Sequence, residues 1–128
     1  MQNIKRFYDK PYMTIGIIVV NIIVFVLMSI SGSTLDAQYM AAHGAMYPEY
    51  IKDGQYWRLF TSMFMHFGLM HILNNMVVLG AVGQIVEKAM GHVKLLITFL
   101  VSGMCGSVLS YICLLYTSPS PRDYAASR

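Results

Sequence analysis

Charged side chains are scarce in this chain of 128 residues, at 12% of the sequence, about half of the ~25% typical of soluble domains. The apolar residues make up 56% of the chain and are grouped into long runs. A soluble core is therefore disfavoured, and the composition predicts a single-domain integral membrane protein. The net charge of +3 is small and scattered, so we predict no nucleic-acid partner.

Cysteine is also scarce, and both cysteines, Cys105 and Cys113, fall within one apolar run. Their spacing fits neither a zinc site nor a disulfide scaffold. On a single helix they would be ~12 Å apart, which is too far for a disulfide. We interpret both as small apolar side chains, and the sequence predicts no metal and no cofactor.

Three apolar runs are long enough to cross a ~30 Å hydrocarbon layer as helices. We predict membrane-spanning helices near residues 13–31, 69–86 and 93–115. A signal peptide is the alternative for the first run because basic residues precede it. A membrane anchor is favoured, since the run is longer than a typical signal sequence and no obvious cleavage site precedes Gly32.

The first loop, residues 32–55, is mixed and polar, and tyrosines within it suit the membrane–water boundary. Residues 59–67 are apolar and predict a short interfacial helix, and residues 87–92 predict a tight connection between the second and third spans. Basic residues concentrate in residues 1–10 and around this connection, whereas the stretch between the first and second spans carries only Lys52 and Arg58. This bias predicts a cytoplasmic N-terminal segment, residues 1–12, and an external first loop.

The third apolar run carries small residues at helical spacing, which let helices approach closely in lipid: Ser102, Gly103, Gly106, Ser107 and Ser110. Residues 116–128 then turn polar and proline-rich. This composition predicts a disordered tail, and it also has the character of foreign read-through. The predicted organisation is therefore a short N-terminal segment, a membrane domain over 13–115 and a tail.

A polar pair, His71 and Asn75, lies in the second run. Residues four apart share one face of a helix, and polar side chains within a bilayer are costly enough to suggest a function. We expect this face to turn toward the protein interior and to continue through Val78, Leu79 and Val82. The alternative to a functional role is a structural one, in which His71 and Asn75 only form hydrogen bonds between helices.

The pair belongs to a longer pattern that runs from Gln55-Tyr56-Trp57-Arg58 through His66 and His71-Ile72-Leu73-Asn74-Asn75 to Gly83 and Glu87. From about Pro11 to Leu115, the chain resembles the rhomboid intramembrane serine proteases. The resemblance implies an all-α membrane protein, a rhomboid-like helical bundle in which three transmembrane helices of an expected six are present. It also implies cleavage of transmembrane protein substrates in or near the lipid of a bacterial-type plasma membrane.

By this resemblance, His71 and Asn75 match residues that stabilise the oxyanion, for which neutral N–H donors are suited. Trp57 and Arg58 match a first-loop motif in which a ring and a cation lie near the headgroups. His66 matches a structural histidine, and Glu87 matches an acidic residue that ends the second helix and orders the following turn with Lys88 or backbone groups.

Other features depart from the family pattern, which places the nucleophilic serine in a Gly-x-Ser-Gly motif on the fourth helix and a catalytic histidine on the sixth. No Gly-x-Ser-Gly occurs in this sequence, and no histidine follows His92. Gly103-Met104-Cys105-Gly106 imitates the motif with cysteine in place of serine, but it falls in the third helix. We therefore expect these 128 residues alone to be an inactive piece of a serine-type endopeptidase.

Three other functions fit parts of the sequence. A rhomboid-like pseudoprotease that binds membrane clients would also lack the serine. A metal site at His66 and His71 is disfavoured, because a five-residue step places them ~140° apart on a helix and no His-Glu-x-x-His motif is present. A transporter or channel fragment would rest on one polar pair alone.

Overall fold

The computed structural model describes residues 10–117, which form helices and contain no β-strand. The three long helices are α1 (Tyr12–Ser31), α5 (Gly68–Met90) and α6 (His92–Thr117). Between α1 and α5 lie α2 (Ala37–Ala42), α3 (Pro48–Lys52), α4 (Arg58–Thr61) and a 3-10 turn at Ser62–Phe64. The predicted all-α class is confirmed, and α1, α5 and α6 are each long and apolar enough to cross a membrane.

Two of the predicted spans match closely, since α1 and α6 begin and end within two residues of the expected positions. The second differs, because α5 continues to Met90 and therefore contains Glu87 and Lys88. The expected six-residue connection is instead Gly91 alone, at φ +94°, a conformation that glycine adopts readily.

Two further expectations need correction. The apolar stretch over 59–67 forms one turn of α-helix followed by one 3-10 turn, not a single interfacial helix. Tyr116 and Thr117, which we assigned to the tail, form the end of α6. The remaining tail, residues 118–128, and residues 1–9 of the N-terminal segment lie outside the described residues.

Helix α1 packs against α5 through small and polar side chains. Gly83 is buried on α5, and a Cβ atom at this position would lie 2.9 Å from Thr14 Cγ2, so the glycine permits the close approach. Asn21 is buried on α1, and its Nδ2 donates to the Ile17 carbonyl at 2.8 Å. This bond within the helix satisfies a polar donor that would otherwise be costly in an apolar setting.

Few side chains of the three long helices are buried, and most of their large apolar side chains are exposed within the chain, as expected for surfaces that face lipid. A small apolar cluster instead lies under the first loop, where Met40, Ala45 and Met65 are buried. Met28 of α1 and Tyr39 of α2 pack against it. The loop is therefore folded onto the end of α1 and positions the segment that leads into α5.

Candidate active site

The polar pair lies near the start of α5, as predicted. His71 and Asn75 are one helical turn apart, and both side chains are exposed. No helix among the described residues covers these two side chains, so the orientation of this face toward the protein interior stays a prediction. The Phe67 N–H donates to His71 Nδ1 at 3.3 Å, which ties the imidazole to the backbone that precedes the helix.

An open groove of about 390 Å³ runs beside Asn75. As predicted, the face of α5 that carries Asn75 continues through Val78, Leu79 and Val82, and all three line the groove. Other lining residues come from the opposite wall on α6, from α1 and from the loop: Leu95, Thr98, Phe99, Ser102, Asn21, Met63 and His66. The groove is thus mainly apolar with a few polar groups, a combination typical of ligand-binding clefts.

His66 is buried, at 5% exposure, and its ring lies edge-on to His71 with ring centroids 5.2 Å apart. Its Nδ1 is 3.3 Å from the Phe64 carbonyl oxygen. Burial lowers the pKa of His66, and the nearby His71 lowers it further, because both disfavour the charged imidazolium. From the sequence we placed His66 and His71 ~140° apart on one helix, but His66 lies in the loop before α5, and its ring is therefore able to pack beside that of His71.

A second groove, of about 520 Å³, is lined by His71, by residues of the loop and by small residues of α6. Ser62 Oγ lies 3.3 Å from Ser107 Oγ, which joins the 3-10 turn to α6. The small residues of α6 therefore face the first loop. Cys105, the residue that imitates the family nucleophile, is an exposed free thiol.

Comparison of the sequence with known proteins identifies the family of this chain. The sequence profile described as the Rhomboid domain matches residues 53–121, a little over half of the chain. This chain belongs to the rhomboid family. The matched range of this rhomboid contains His71, Asn75 and all of α5.

Curated relatives include two proteins named as rhomboid proteases. The rhomboid is 33% identical over 109 residues to Rhomboid protease GluP of Bacillus subtilis, a match that covers 85% of this chain and 22% of the relative. It is 38% identical over 92 residues to Rhomboid protease GlpG of Pectobacterium atrosepticum, covering 72% and 32%. RHOMBOID-like protein 7 of Arabidopsis thaliana is 38% identical over 88 residues, covering 69% and 27%.

The chain thus spans between about a fifth and a third of the length of these relatives. No solved structure matches it. The comparisons therefore establish the family, and they identify relatives named as proteases.

In this rhomboid, Arg58 organises the first loop from within. Its side chain is only 4% exposed, and Nη1 donates to the carbonyl oxygens of Ala41 at 2.5 Å and Ala45 at 2.8 Å. The guanidinium carbon lies 4.4 Å from the centre of the Tyr50 ring, within cation–π range. Arg58, which we expected to lie near the headgroups, is therefore buried and holds the loop together through hydrogen bonds. Trp57 is 53% exposed and suits a membrane boundary.

Glu87 forms the other polar centre of the rhomboid and is fully buried, at 0% exposure. Its carboxylate accepts from the Met13 N–H at 2.7 Å, the Thr14 N–H at 2.8 Å and the Thr14 hydroxyl at 2.6 Å. It also contacts His92 Nδ1 at the start of α6. The carboxylate thus caps α1, whereas Lys88, the partner considered from the sequence, is exposed.

Two groups at the site were not predicted from the sequence: Asn21, which lines the first groove, and the Phe67 N–H, which donates to His71. An asparagine within an apolar run was the available signal for the first; a backbone N–H carries no sequence signal. Within residues 10–117, no three His, Cys, Asp or Glu side chains are grouped so that they could hold a metal ion.

Proposed function

We propose that this rhomboid forms part of a serine-type intramembrane protease, in which His71 and Asn75 stabilise the oxyanion formed during cleavage of transmembrane protein substrates. The position of the two donors supports this, because they lie one turn apart on α5 and are exposed beside open grooves. Both can donate without carrying charge, as an oxyanion site requires. A pseudoprotease is not favoured, because GluP and GlpG are named as proteases.

A chimera tests this role without the need for a longer form of this chain. Residues 11–117 replace the matched segment of Bacillus subtilis GluP, and cleavage of a transmembrane substrate is measured in liposomes. Loss of one oxyanion donor typically lowers turnover ~10²–10³-fold. We expect Asn75→Ala to lower kcat by ~10–10³-fold, since the His71 donor remains.

Asn74→Ala is the matched control, because Asn74 points ~100° away from its neighbour on the helix. It removes the same side chain one residue away, and kcat should stay near that of the unchanged chimera. The melting temperature of each variant is measured in parallel. If Asn75→Ala unfolds the chimera and leaves kcat unchanged, the pair is structural and the proposed role is wrong.

These 128 residues alone are expected to be inactive, since they contain no Gly-x-Ser-Gly motif and no histidine after His92. Without a nucleophile and a base, oxyanion donors have no intermediate to stabilise. The purified chain is reconstituted with a transmembrane substrate. Cleavage that disappears on Cys105→Ala or Ser62→Ala would contradict this expectation and identify the nucleophile.

We propose further that α1 starts in the cytoplasm, so that residues 1–12 are cytoplasmic, 13–115 form the membrane domain and 116–128 form a tail. A bacterial-type plasma membrane is the proposed location. The hydrogen bonds from Met13 and Thr14 to Glu87 support one part of this proposal, that the start of α1 and the α5–α6 connection lie on the same side of the membrane. They bring the start of α1 beside this connection.

The topology is tested in a variant without Cys105 and Cys113. Single cysteines at Asp53 and Lys88 are labelled from either side of sealed vesicles with a reagent that does not cross membranes. We expect labelling from opposite sides. Labelling of both positions from the same side would contradict the topology.

A further inference from the structure

The segment that enters α5 brings two groups together around one imidazole, that of His71. The His71 side chain contacts the ring of His66 and the backbone N–H of Phe67. Neutral imidazole has one N–H donor and one bare nitrogen acceptor, and its surroundings decide which nitrogen carries the proton. A role for His71 as a donor therefore depends on its tautomer.

The Phe67 N–H selects one of the two tautomers. It donates to His71 Nδ1 at 3.3 Å, and a backbone N–H can only donate, so Nδ1 is the bare nitrogen. In the neutral ring, the proton is then on Nε2, on the opposite side from the backbone. Nε2 is thus left as the donor of this exposed side chain.

The helix start explains why this N–H is available. Phe67 is the N-cap residue of α5, with φ −82° and ψ 96°, and N–H groups at a helix start have no partner within the helix. The side chain four residues later reaches back to it, much as a glutamate does in a capping box. Gly68 follows at φ +78°, a conformation that would strain other residues.

His66 holds the segment from the other side. The Phe64 carbonyl can only accept, so His66 Nδ1 carries a proton where the two groups lie 3.3 Å apart. The buried ring of His66 packs edge-on against His71, with an interplanar angle of 63°. This packing opposes rotation of the His71 ring, which would exchange Nδ1 for a carbon atom.

We propose that the backbone N–H of Phe67 is a positioning group that holds His71 as its Nε2–H tautomer, so that Nε2–H is the donor offered to the oxyanion. The inference rests on the proposed function for its purpose, but the tautomer itself is a property of the present chain. It can be measured without catalysis.

The test is nitrogen NMR of the full chain in detergent micelles, with its histidines labelled with ¹⁵N. Protonated and bare imidazole nitrogens have well-separated shifts, and His71→Gln identifies the His71 signals. We expect Nδ1 to be bare and Nε2 protonated in the neutral ring. A protonated Nδ1 as the main form would overturn the proposal.

Phe67→Pro removes the N–H donor together with the phenyl ring, and the backbone can keep its conformation because the φ of Phe67, −82°, is close to the value that proline imposes. We expect the ratio of Nε2–H to Nδ1–H forms to fall about fivefold, the factor that one neutral hydrogen bond contributes to an equilibrium. Phe67→Ala is the matched control, since it removes the ring but keeps the N–H, and its ratio should be unchanged. Equal ratios in the two variants would overturn the proposal.

A second measurement carries the test if Phe67→Pro does not fold. Hydrogen exchange at the Phe67 amide should be about fivefold faster in His71→Ala than in the unchanged chain. Asn74→Ala should leave this rate unchanged. An unchanged rate in His71→Ala would overturn the proposal. Since neither readout depends on proteolysis, failure here is distinct from failure of Asn75→Ala in the GluP chimera.

Discussion

Replacing Glu87 by alanine tests the polar centre that joins the three long helices. The substitution removes the acceptor of three hydrogen bonds from the start of α1 and the carboxylate beside His92. Loss of a helix cap typically costs ~1 kcal/mol, and each buried donor left without a partner costs ~1–3 kcal/mol. Water that reaches the helix end offsets part of this cost, so we expect Glu87→Ala to lower the free energy of unfolding by ~3–5 kcal/mol.

Glu87→Gln tests the contribution of the negative charge, because glutamine has nearly the same shape as glutamate but is neutral. The amide oxygen can still accept from the α1 backbone, but the NH2 group meets donors where a carboxylate oxygen accepted before. We expect a smaller loss of ~1–3 kcal/mol. Glu49→Ala is the control, because this carboxylate is exposed on α3 and surface changes usually shift stability by ~0.5 kcal/mol or less.

The free energy of unfolding is measured in mixed micelles as the fraction of denaturing detergent is raised, with helix content followed by circular dichroism. Hydrogen exchange at Met13 and Thr14 gives a local readout, and both amides should exchange faster in Glu87→Ala. If Glu87→Ala costs no more than Glu49→Ala, or if exchange at these amides is unchanged, the carboxylate does not cap α1 and this reasoning fails.

Three other predictions concern the loop, the α1–α5 contact and pH. Arg58→Lys should lower stability by ~1.5–3 kcal/mol and speed proteolysis of the first loop, because a single ammonium group cannot bind the two carbonyls and also replace the Nε–H that donates to Gln55 Oε1 at 2.7 Å; unchanged proteolysis would contradict this. Gly83→Ala should destabilise by ~1–3 kcal/mol through overpacking against Thr14, whereas Gly80→Ala, whose Cβ would have ordinary contacts, should be neutral or stabilising by up to ~1 kcal/mol. Burial lowers the pKa of the His66 imidazole below its usual 6.5, so the unfolded chain binds a proton at a higher pH than the folded chain does. The free energy of unfolding should therefore be highest above pH 6.5 and fall as the pH is lowered below it. This fall should be smaller in His66→Phe.

The lengths of the apolar runs predicted the three spans because length and hydropathy together decide whether a helix can cross a membrane. They misplaced the end of α5, because Glu87 and Lys88 read as the start of a polar connection. In the folded chain, Glu87 is satisfied by the start of α1, which is 73 residues away from it at Thr14. A partner so distant in sequence leaves no local pattern, so the charge alone could not indicate a buried position within the helix.

At the candidate site, too, the features set by local sequence spacing could be predicted, and those set by packing could not. Helical spacing predicted that Asn75 shares a face with Val78 and Val82, and the groove confirms it. Spacing could not predict whether this face is covered, since exposure depends on the packing of other helices. The partners of Arg58 were also unpredictable, because they are backbone carbonyls, which every residue has.

The single residue between α5 and α6 also has a consequence for the bilayer. With 23 and 26 residues, the two helices are ~35 and ~39 Å long, more than a ~30 Å hydrocarbon core. Helices joined by a long loop could each shift in depth to adapt to a thinner membrane. Gly91 fixes the near ends of this pair at one depth, so mismatch has to be absorbed by tilting the two helices or by deforming the lipid around them. Membrane thickness is thereby coupled to the angle between the walls of the groove that contains Asn75.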